Sequence, residues 1–115
     1  MEGTKYDNDK LRMDLIPKEA FDALAGVLGF GAKKYDDHNW RKGINHSRLY
    51  AATMRHMTSY WSGETYDPES GLNHLAHAMT NLAFILGSPN YDDRYQKETK
   101  PTIDHKPAWE TGDDN

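Results

Sequence analysis

The chain has 115 residues, 37% of them hydrophobic, with 14 basic and 18 acidic side chains and a formal charge of -4. This length predicts one domain, and an acidic balance without a polybasic run disfavours a nucleic-acid partner. Cysteine is absent, which excludes disulfide bonds and thiolate metal sites. No run approaches the roughly 20 apolar residues that span a bilayer, so we expect a cytoplasmic protein with no membrane partner.

A polar arm precedes the first predicted helix, which begins after Pro17. Its apolar positions repeat at helical spacing and are Phe21, Leu24, Ala25 and Leu28. Gly29 and Gly31 weaken the end of this helix, so residues 32–35 either continue it or leave it at a break.

A second helix is predicted from a cap at Asn45 or Ser47 to about Ser62, with Gly63 as its terminator. Helical spacing predicts that two adjacent stripes of this helix are buried. The first is simplest to interpret as part of the core and comprises Tyr50, Met54, Met57 and Trp61. The second comprises Leu49, Ala52, Thr53, His56 and Tyr60.

A third helix is predicted over residues 68–87, with Asp67 as its cap, Pro68 in its first turn and Gly87 at its end. One broad apolar face carries Leu72, Leu75, Ala76, Met79, Leu82, Ala83 and Leu86. The opposite stripe carries Ser70, His74, His77 and Asn81. Because apolar residues flank that stripe as well, we expect its histidines in a partly enclosed place.

The short connection between the second and third helices predicts an antiparallel hairpin, with His56 and His77 at similar heights. Residues 90–115 lack periodicity and read as a polar tail, ordered only where residues such as Tyr91, Tyr95, Ile103 or Trp109 dock. The predicted fold class is therefore all-α, with three main helices in a domain over residues 1–89 followed by the tail.

An acidic turn lies at the closed end of the predicted hairpin and carries Glu64, Asp67 and Glu69. Buried histidines need polar partners, and these carboxylates can supply them. The pattern indicates a metal or phosphate site, and the alternative is a structural histidine pair. Mg²⁺ prefers carboxylate and phosphate oxygens, whereas Mn²⁺ also tolerates imidazole.

The loop after the first helix combines aromatic and basic side chains. They are Lys33, Lys34, Tyr35, Trp40, Arg41 and Lys42. Aromatic faces stack on bases and cations neutralise phosphates, so the loop suits a nucleotide. The alternative is that Trp40 simply fills the core. P-loop, dinucleotide-fingerprint and HExxH motifs are absent, while metal-assisted nucleotide hydrolysis fits the residues present.

Several motifs in order resemble the bacteriophage dATP/dGTP diphosphohydrolase domain, the MazZ branch of the all-α, MazG-like NTP pyrophosphatases. They are residues 10–17 (KLRMDLIP), 30–35 (FGAKKY), 39–43 (NWRKG), 55–56 (RH), 63–64 (GE) and 67–72 (DPESGL), followed by His74, His77 and Asn81. The resemblance implies a multimeric helical enzyme that uses Mg²⁺ or Mn²⁺ to cleave a purine deoxynucleoside triphosphate into its monophosphate and pyrophosphate.

The broader MazG pattern places carboxylates on two helices where this chain has Thr53 and His56, then His74 and His77. We therefore assign the metal to Glu64, Asp67, Glu69, His74 and His77, and catalytic roles to Glu64, Glu69 and His56. The predicted substrate-binding residues are Lys33, Lys34, Tyr35, Asn39, Trp40, Lys42, Arg55 and Asn81. We expect a homodimer or homotetramer. The alternatives are a noncatalytic nucleotide-binding regulatory module and a small phage interaction protein.

Overall fold

The computed structural model describes residues 9–94, and within them the fold is all-α. The main helices are α1 (Lys18–Lys34), α2 (His46–Trp61) and α3 (His74–Gly87). Short 3-10 helices cover Met13–Leu15, Asn39–Lys42 and Pro89–Tyr91. No helix in this part of the chain is long and apolar enough to cross a membrane.

The first two helices confirm the sequence prediction closely. Pro17 occupies the cap position of α1, and Gly29 and Gly31 lie inside this helix, which continues to Lys34. Asn45 occupies the cap position of α2, and Gly63 follows its end with a φ of +110°. That left-handed conformation favours glycine, which is why the helix terminates here.

The third helix begins at His74, so the predicted start at residue 68 is wrong. Asp67 instead closes a tight turn, in which its carbonyl accepts from Gly71 N at 2.7 Å and its carboxylate accepts from Ser70 N at 3.0 Å. Gly71 has a φ of +75°, which is incompatible with a continuing right-handed helix. Asn73 is the true cap, and its side chain accepts from Leu75 N at 2.8 Å.

The helices α2 and α3 form the predicted antiparallel hairpin. At one end His46 on α2 meets Ser88 just beyond α3, and near the other His56 on α2 meets His74 at the start of α3. The helix α1 packs against α3, so α3 is the central element of the described fold. This arrangement places α3 between α1 and α2.

The buried faces differ from those expected from the apolar periodicity. The buried positions of α2 and α3 are His46, Leu49, Thr53, His74, Ala76, Ala78 and Thr80. The stripe predicted as core on α2 is exposed, with Trp61 88% accessible, and so is part of the apolar face of α3, with Leu86 84% accessible. Because α1 packs elsewhere on α3, these stripes remain uncovered in the single chain.

Beyond α3, Tyr91 contacts the body of the protein, as one of the predicted docking residues. The other proposed docking residues, Tyr95, Ile103 and Trp109, lie outside the described residues. The predicted domain boundary at residue 89 stays a prediction.

Candidate functional site

Three histidines from α2 and α3 form one cluster, as the sequence predicted. The ring of His56 stacks on that of His77 with centroids 4.6 Å apart, and lies 5.1 Å from the ring of His74. His74 is buried, and the other two are partly buried. The antiparallel hairpin produces this cluster because it brings the C-terminal half of α2 beside the first turns of α3.

The hydrogen bonds of the cluster define a consistent set of proton positions. Glu64 accepts from His74 Nε2 at 2.7 Å, and the Nδ1 atoms of His56 and His74 lie 2.8 Å apart. With a neutral His74, its Nδ1 accepts a hydrogen bond from the Nδ1–H of His56, so Nε2 of a neutral His56 carries no proton. His56 also lines the neighbouring cavity, so this nitrogen is suited to act as a base there.

Burial lowers the pKa of His56, and the charges that His77 and His74 would carry lower it further. Burial also lowers the pKa of His77, although Asp67 opposes this effect. Both imidazoles are therefore predominantly neutral near pH 7, and a neutral imidazole offers a lone pair to a proton or a metal ion.

The acidic turn connects to the histidines through Ser70. The Ser70 hydroxyl lies 3.0 Å from Asp67 Oδ2 and 2.7 Å from His77 Nε2, and it accepts from Leu72 N at 3.1 Å. All these groups are satisfied when Ser70 donates to Asp67 and accepts from the Nε2–H of His77. Ser70 thus links a carboxylate to an imidazole, a role that sequence analysis missed.

The turn lowers the pKa of the Asp67 carboxylate. Burial acts to raise the pKa of Asp67, but hydrogen bonds from Ser70 N and Oγ, together with His77 and His56, outweigh it. The resulting pKa lies below the usual aspartate value. Asp67 is therefore an ionised ligand or hydrogen-bond acceptor at neutral pH.

One group of side chains in the described residues has the donor spacing of a metal site. Single ligand atoms of His56, Asp67 and His74 all lie within 4.8 Å of one another. Of the predicted ligands, Glu64 bonds to His74, and His77 Nε2 lies 3.8 Å from Asp67 Oδ2, so both border this group. Glu69 is not a member of this group and forms an ion pair with Lys34 at the end of α1.

A cavity of about 600 Å³ opens beside the histidine cluster, between α1, α3 and the loop that follows α1. His56, His77 and Glu69 line one part of it, and Phe30, Tyr35, Trp40 and Phe84 contribute aromatic surface. Five of the predicted substrate-binding residues line it, namely Lys34, Tyr35, Asn39, Trp40 and Asn81. Its volume is in the range typical of small-molecule sites.

Trp40 serves as a packed wall of this cavity. Its ring stacks on Phe84 with centroids 5.3 Å apart and an interplanar angle of 12°. This contact fits the core-filling alternative for Trp40, while its place in the cavity lining leaves the predicted substrate-binding role open to test. Tyr35, by contrast, is 59% exposed and carries the ammonium of Lys34 5.4 Å from its ring centroid.

The remaining predicted phosphate-binding cations, Lys33, Lys42 and Arg55, are exposed and do not line the cavity. Lys42 lies 3.8 Å from Asp36 instead. The cavity lining contains Asp36, Asp37 and Glu69 against the single ammonium of Lys34. Sequence analysis emphasised the cations of this loop and overlooked its two neighbouring carboxylates.

Comparison with known proteins places the chain in a family. The family model described as "dATP/dGTP diphosphohydrolase, N-terminal" matches residues 1–98. The chain belongs to this family. The resemblance inferred from the sequence motifs is thereby confirmed.

The chain is also similar to a curated protein from Salmonella phage PMBT28 that is named dATP/dGTP diphosphohydrolase. It is 35% identical over 107 residues, which make up 90% of this chain and 37% of the relative. The chain therefore spans little more than a third of the length of that relative. No solved structure matches the present chain significantly.

Proposed function

We propose that this chain carries the active site of a metal-dependent diphosphohydrolase that converts dGTP or dATP to the monophosphate and pyrophosphate. The observation that carries the proposal is the cavity, which joins an aromatic wall to a cluster of histidines and carboxylates. Such a cavity can hold a base and a polyphosphate at once. The family and the name of the phage relative supply the substrate class.

The charge of the cavity supports a role for a divalent cation. Three carboxylates and one ammonium line it, so a nucleotide triphosphate alone would meet net repulsion. A divalent ion bound with the nucleotide reverses that balance. The same ion supplies the charge neutralisation that phosphoryl transfer requires.

Asp67 and His74 would hold this ion, with Glu64 orienting His74, while the adjacent His56 is kept for proton transfer. One of these two donors is an imidazole, which suits Mn²⁺ better than Mg²⁺. The described residues therefore fit an ion of the expected class, and they favour Mn²⁺. Glu69 would join the site from the cavity side, where it now pairs with Lys34.

The chain's own groups would activate water. His56 Nε2 is suited to take a proton from a water molecule in the cavity as the water oxygen bonds to the α-phosphorus. The bond from that phosphorus to the α,β-bridging oxygen breaks, and pyrophosphate departs with the electron pair. His56 is thus the proposed general base.

Substrate binding follows from the lining of the cavity. Lys34 would leave its ion pair with Glu69 and bind a phosphate oxygen. Tyr35 would stack on the base, and the side-chain amides of Asn39 and Asn81 would form hydrogen bonds with the nucleotide. Lys33, Lys42 and Arg55 would contribute from the rim. A dNTP substrate suits a reaction in the cytoplasm, which is that of the host bacterium if the chain is phage-encoded.

A homodimer or homotetramer would cover the exposed stripes. On α2 the stripe comprises Tyr50, Met54, Met57 and Trp61, and on α3 it comprises Leu75, Leu82 and Leu86. Helical geometry places the two stripes on the same side of the antiparallel hairpin, where they form one apolar surface. Two copies packed through this surface would bury both hairpins together.

Product analysis tests the proposal. Purified protein is incubated with each dNTP and NTP in Mg²⁺, Mn²⁺ or EDTA, and pyrophosphate is separated from orthophosphate. Metal-dependent pyrophosphate and monophosphate from dGTP or dATP are expected, and Glu69→Gln should abolish them without unfolding the protein. Nucleotide binding without any product would favour the noncatalytic module instead.

A further inference from the structure

Residues 88–94, here called the strap, leave the end of α3 and cross to the start of α2. His46 donates from Nε2 to the carbonyl of Ser88 at 2.8 Å. Ser47 donates from its backbone N to Asp93 Oδ1 at 2.9 Å, and its hydroxyl donates to the other carboxylate oxygen. The strap is therefore fixed at two points to the first turn of α2.

Asp93 replaces the local cap of α2. Asn45 occupies the cap position, but its side chain makes no capping hydrogen bond. The first-turn amide of Ser47 is satisfied instead by a carboxylate 46 residues away in sequence. Capping from such a distance ties the strap to the helix, which a local cap would not do.

Tyr91, in the middle of the strap, packs against Gly43, in the loop that follows α1 and contributes to the cavity lining. Gly43 has a φ of +102°, and a Cβ at this position would lie 2.0 Å from the Tyr91 ring. The Tyr91 hydroxyl also donates to the carbonyl of Lys42 at 3.4 Å. The ring thus fills the space above Gly43 completely.

Gly43 ends the 3-10 helix Asn39–Lys42, from which Asn39 and Trp40 line the cavity. Trp40 also contacts α3, where its ring stacks on Phe84 and approaches Gly87. This cavity wall is consequently held on one side by α3 and on the other by Tyr91. Neither Tyr91 nor Asp93 lines the cavity.

We propose that the strap is a clamp for the nucleotide pocket, with Tyr91 as a positioning residue that acts through Gly43 on the Asn39–Lys42 wall. The nature of the ligand rests on the proposed function, whereas the clamp itself does not. Without the Tyr91 ring, the wall formed by residues 39–42 would become ordered only when the nucleotide binds. The free-energy cost of that ordering would weaken nucleotide binding. The histidine cluster, which the strap does not touch, would keep its chemistry.

The clamp is tested with Tyr91→Ala and Asp93→Asn in the full chain. Tyr91→Phe keeps the ring, and Asn90→Ala is a matched exposed control on the same 3-10 helix. Hydrogen exchange of residues 39–44 is measured without ligand. The dissociation constant of a nonhydrolysable dGTP analogue with Mn²⁺, and KM and kcat for dGTP, are then measured.

Tyr91→Ala should accelerate exchange in residues 39–44 and raise the dissociation constant and KM about fivefold to tenfold, with kcat little changed. Asp93→Asn should act in the same direction, and Tyr91→Phe should restore wild-type values. Unchanged exchange in Tyr91→Ala would overturn the clamp, as would faster exchange with unaltered nucleotide affinity. A wild-type protein that binds no nucleotide would overturn the proposed function, while the exchange measurement would still decide whether the clamp exists.

Discussion

The rings of His56 and His77 stack with an interplanar angle of only 7°, across the interface between α2 and α3. The ring centroids are 4.6 Å apart, so the two imidazoles cannot both be protonated without strong repulsion. Burial already lowers the pKa of each. The stack therefore keeps neutral nitrogen atoms at the edge of the cavity. That is the state in which a histidine accepts a proton.

Replacing His56 with Asn should reduce kcat for dGTP by about a hundredfold or more, because the proposed general base is lost. Nucleotide binding measured with a nonhydrolysable analogue should change far less. Thr58→Ala, an exposed change on the same helix, serves as the control. Near-wild-type turnover in His56→Asn would exclude His56 as the base.

Glu64→Gln should weaken Mn²⁺ binding about tenfold to a hundredfold, because Glu64 accepts from His74 Nε2 and orients that ligand. Glu69→Gln should have little effect on metal affinity without nucleotide, since Glu69 pairs with Lys34. Calorimetric titration of EDTA-treated protein compares the two variants. An equal loss in Glu69→Gln would contradict this assignment, because Glu69 would then support the ion without nucleotide.

Ser70→Ala should lower the free energy of unfolding by roughly 1–3 kcal/mol, because it leaves Asp67 and His77 without their shared partner. Ser70→Thr keeps the hydroxyl and should recover most of this loss. Urea denaturation of metal-free protein provides the measurement. A neutral Ser70→Ala change would mean that water replaces the hydroxyl fully.

Acid should release the strap at Asp93. Hydrogen bonding to the Ser47 hydroxyl lowers the pKa of Asp93 below 3.8, against the smaller effect of burial. The unfolded chain then binds more protons than the native one, so the Asp93 contribution is present above about pH 3.8 and disappears as pH falls through the native pKa.

The chemical shift of the Ser47 amide proton, followed by NMR as pH is lowered, reports this release. Asp93→Asn should remove the transition. The neighbouring Asp92 also titrates in acid, because hydrogen bonds with Arg94 lower its pKa to about 2, and Asp93→Asn distinguishes the two groups. A Ser47 shift that persists in Asp93→Asn would assign the transition to another group.

Charge on the apolar surface should dissociate the proposed oligomer. Leu82→Glu on α3 and Met54→Glu on α2 lie on exposed positions, so the folded chain can tolerate them. Sedimentation velocity should show a smaller species for both variants, with helical content retained. Wild-type protein that is already monomeric at micromolar concentration would contradict the assembly.

The sequence was sufficient for α1, α2 and the hairpin because periodicity, Pro17 and Gly63 act locally. The start of α3 was mispredicted because Asp67 and Pro68 suit a turn as well as a helix cap. The observed choice depends on Gly71 and on Asn73, which supplies the side-chain cap. Such competition between local signals is decided by contacts along the whole turn.

The sequence alone also does not determine which apolar stripe of a helix is buried. Met57 and Leu82 have the spacing of core residues, yet both are exposed because α1 packs on another part of α3. Periodicity identifies a face but does not name its partner. In the candidate site, the convergence of His56 and His77 was predictable from the hairpin, whereas the bridging position of Ser70 depends on the folded turn.

The contact between Gly43 and Tyr91 has a consequence for how this family can vary. A side chain at position 43 would need both a tolerated left-handed backbone and a vacated volume at position 91. Substitutions at 43 should therefore arise only in lineages where position 91 has already become small. In a library randomised at both positions, functional clones should show large residues at 91 paired with glycine at 43.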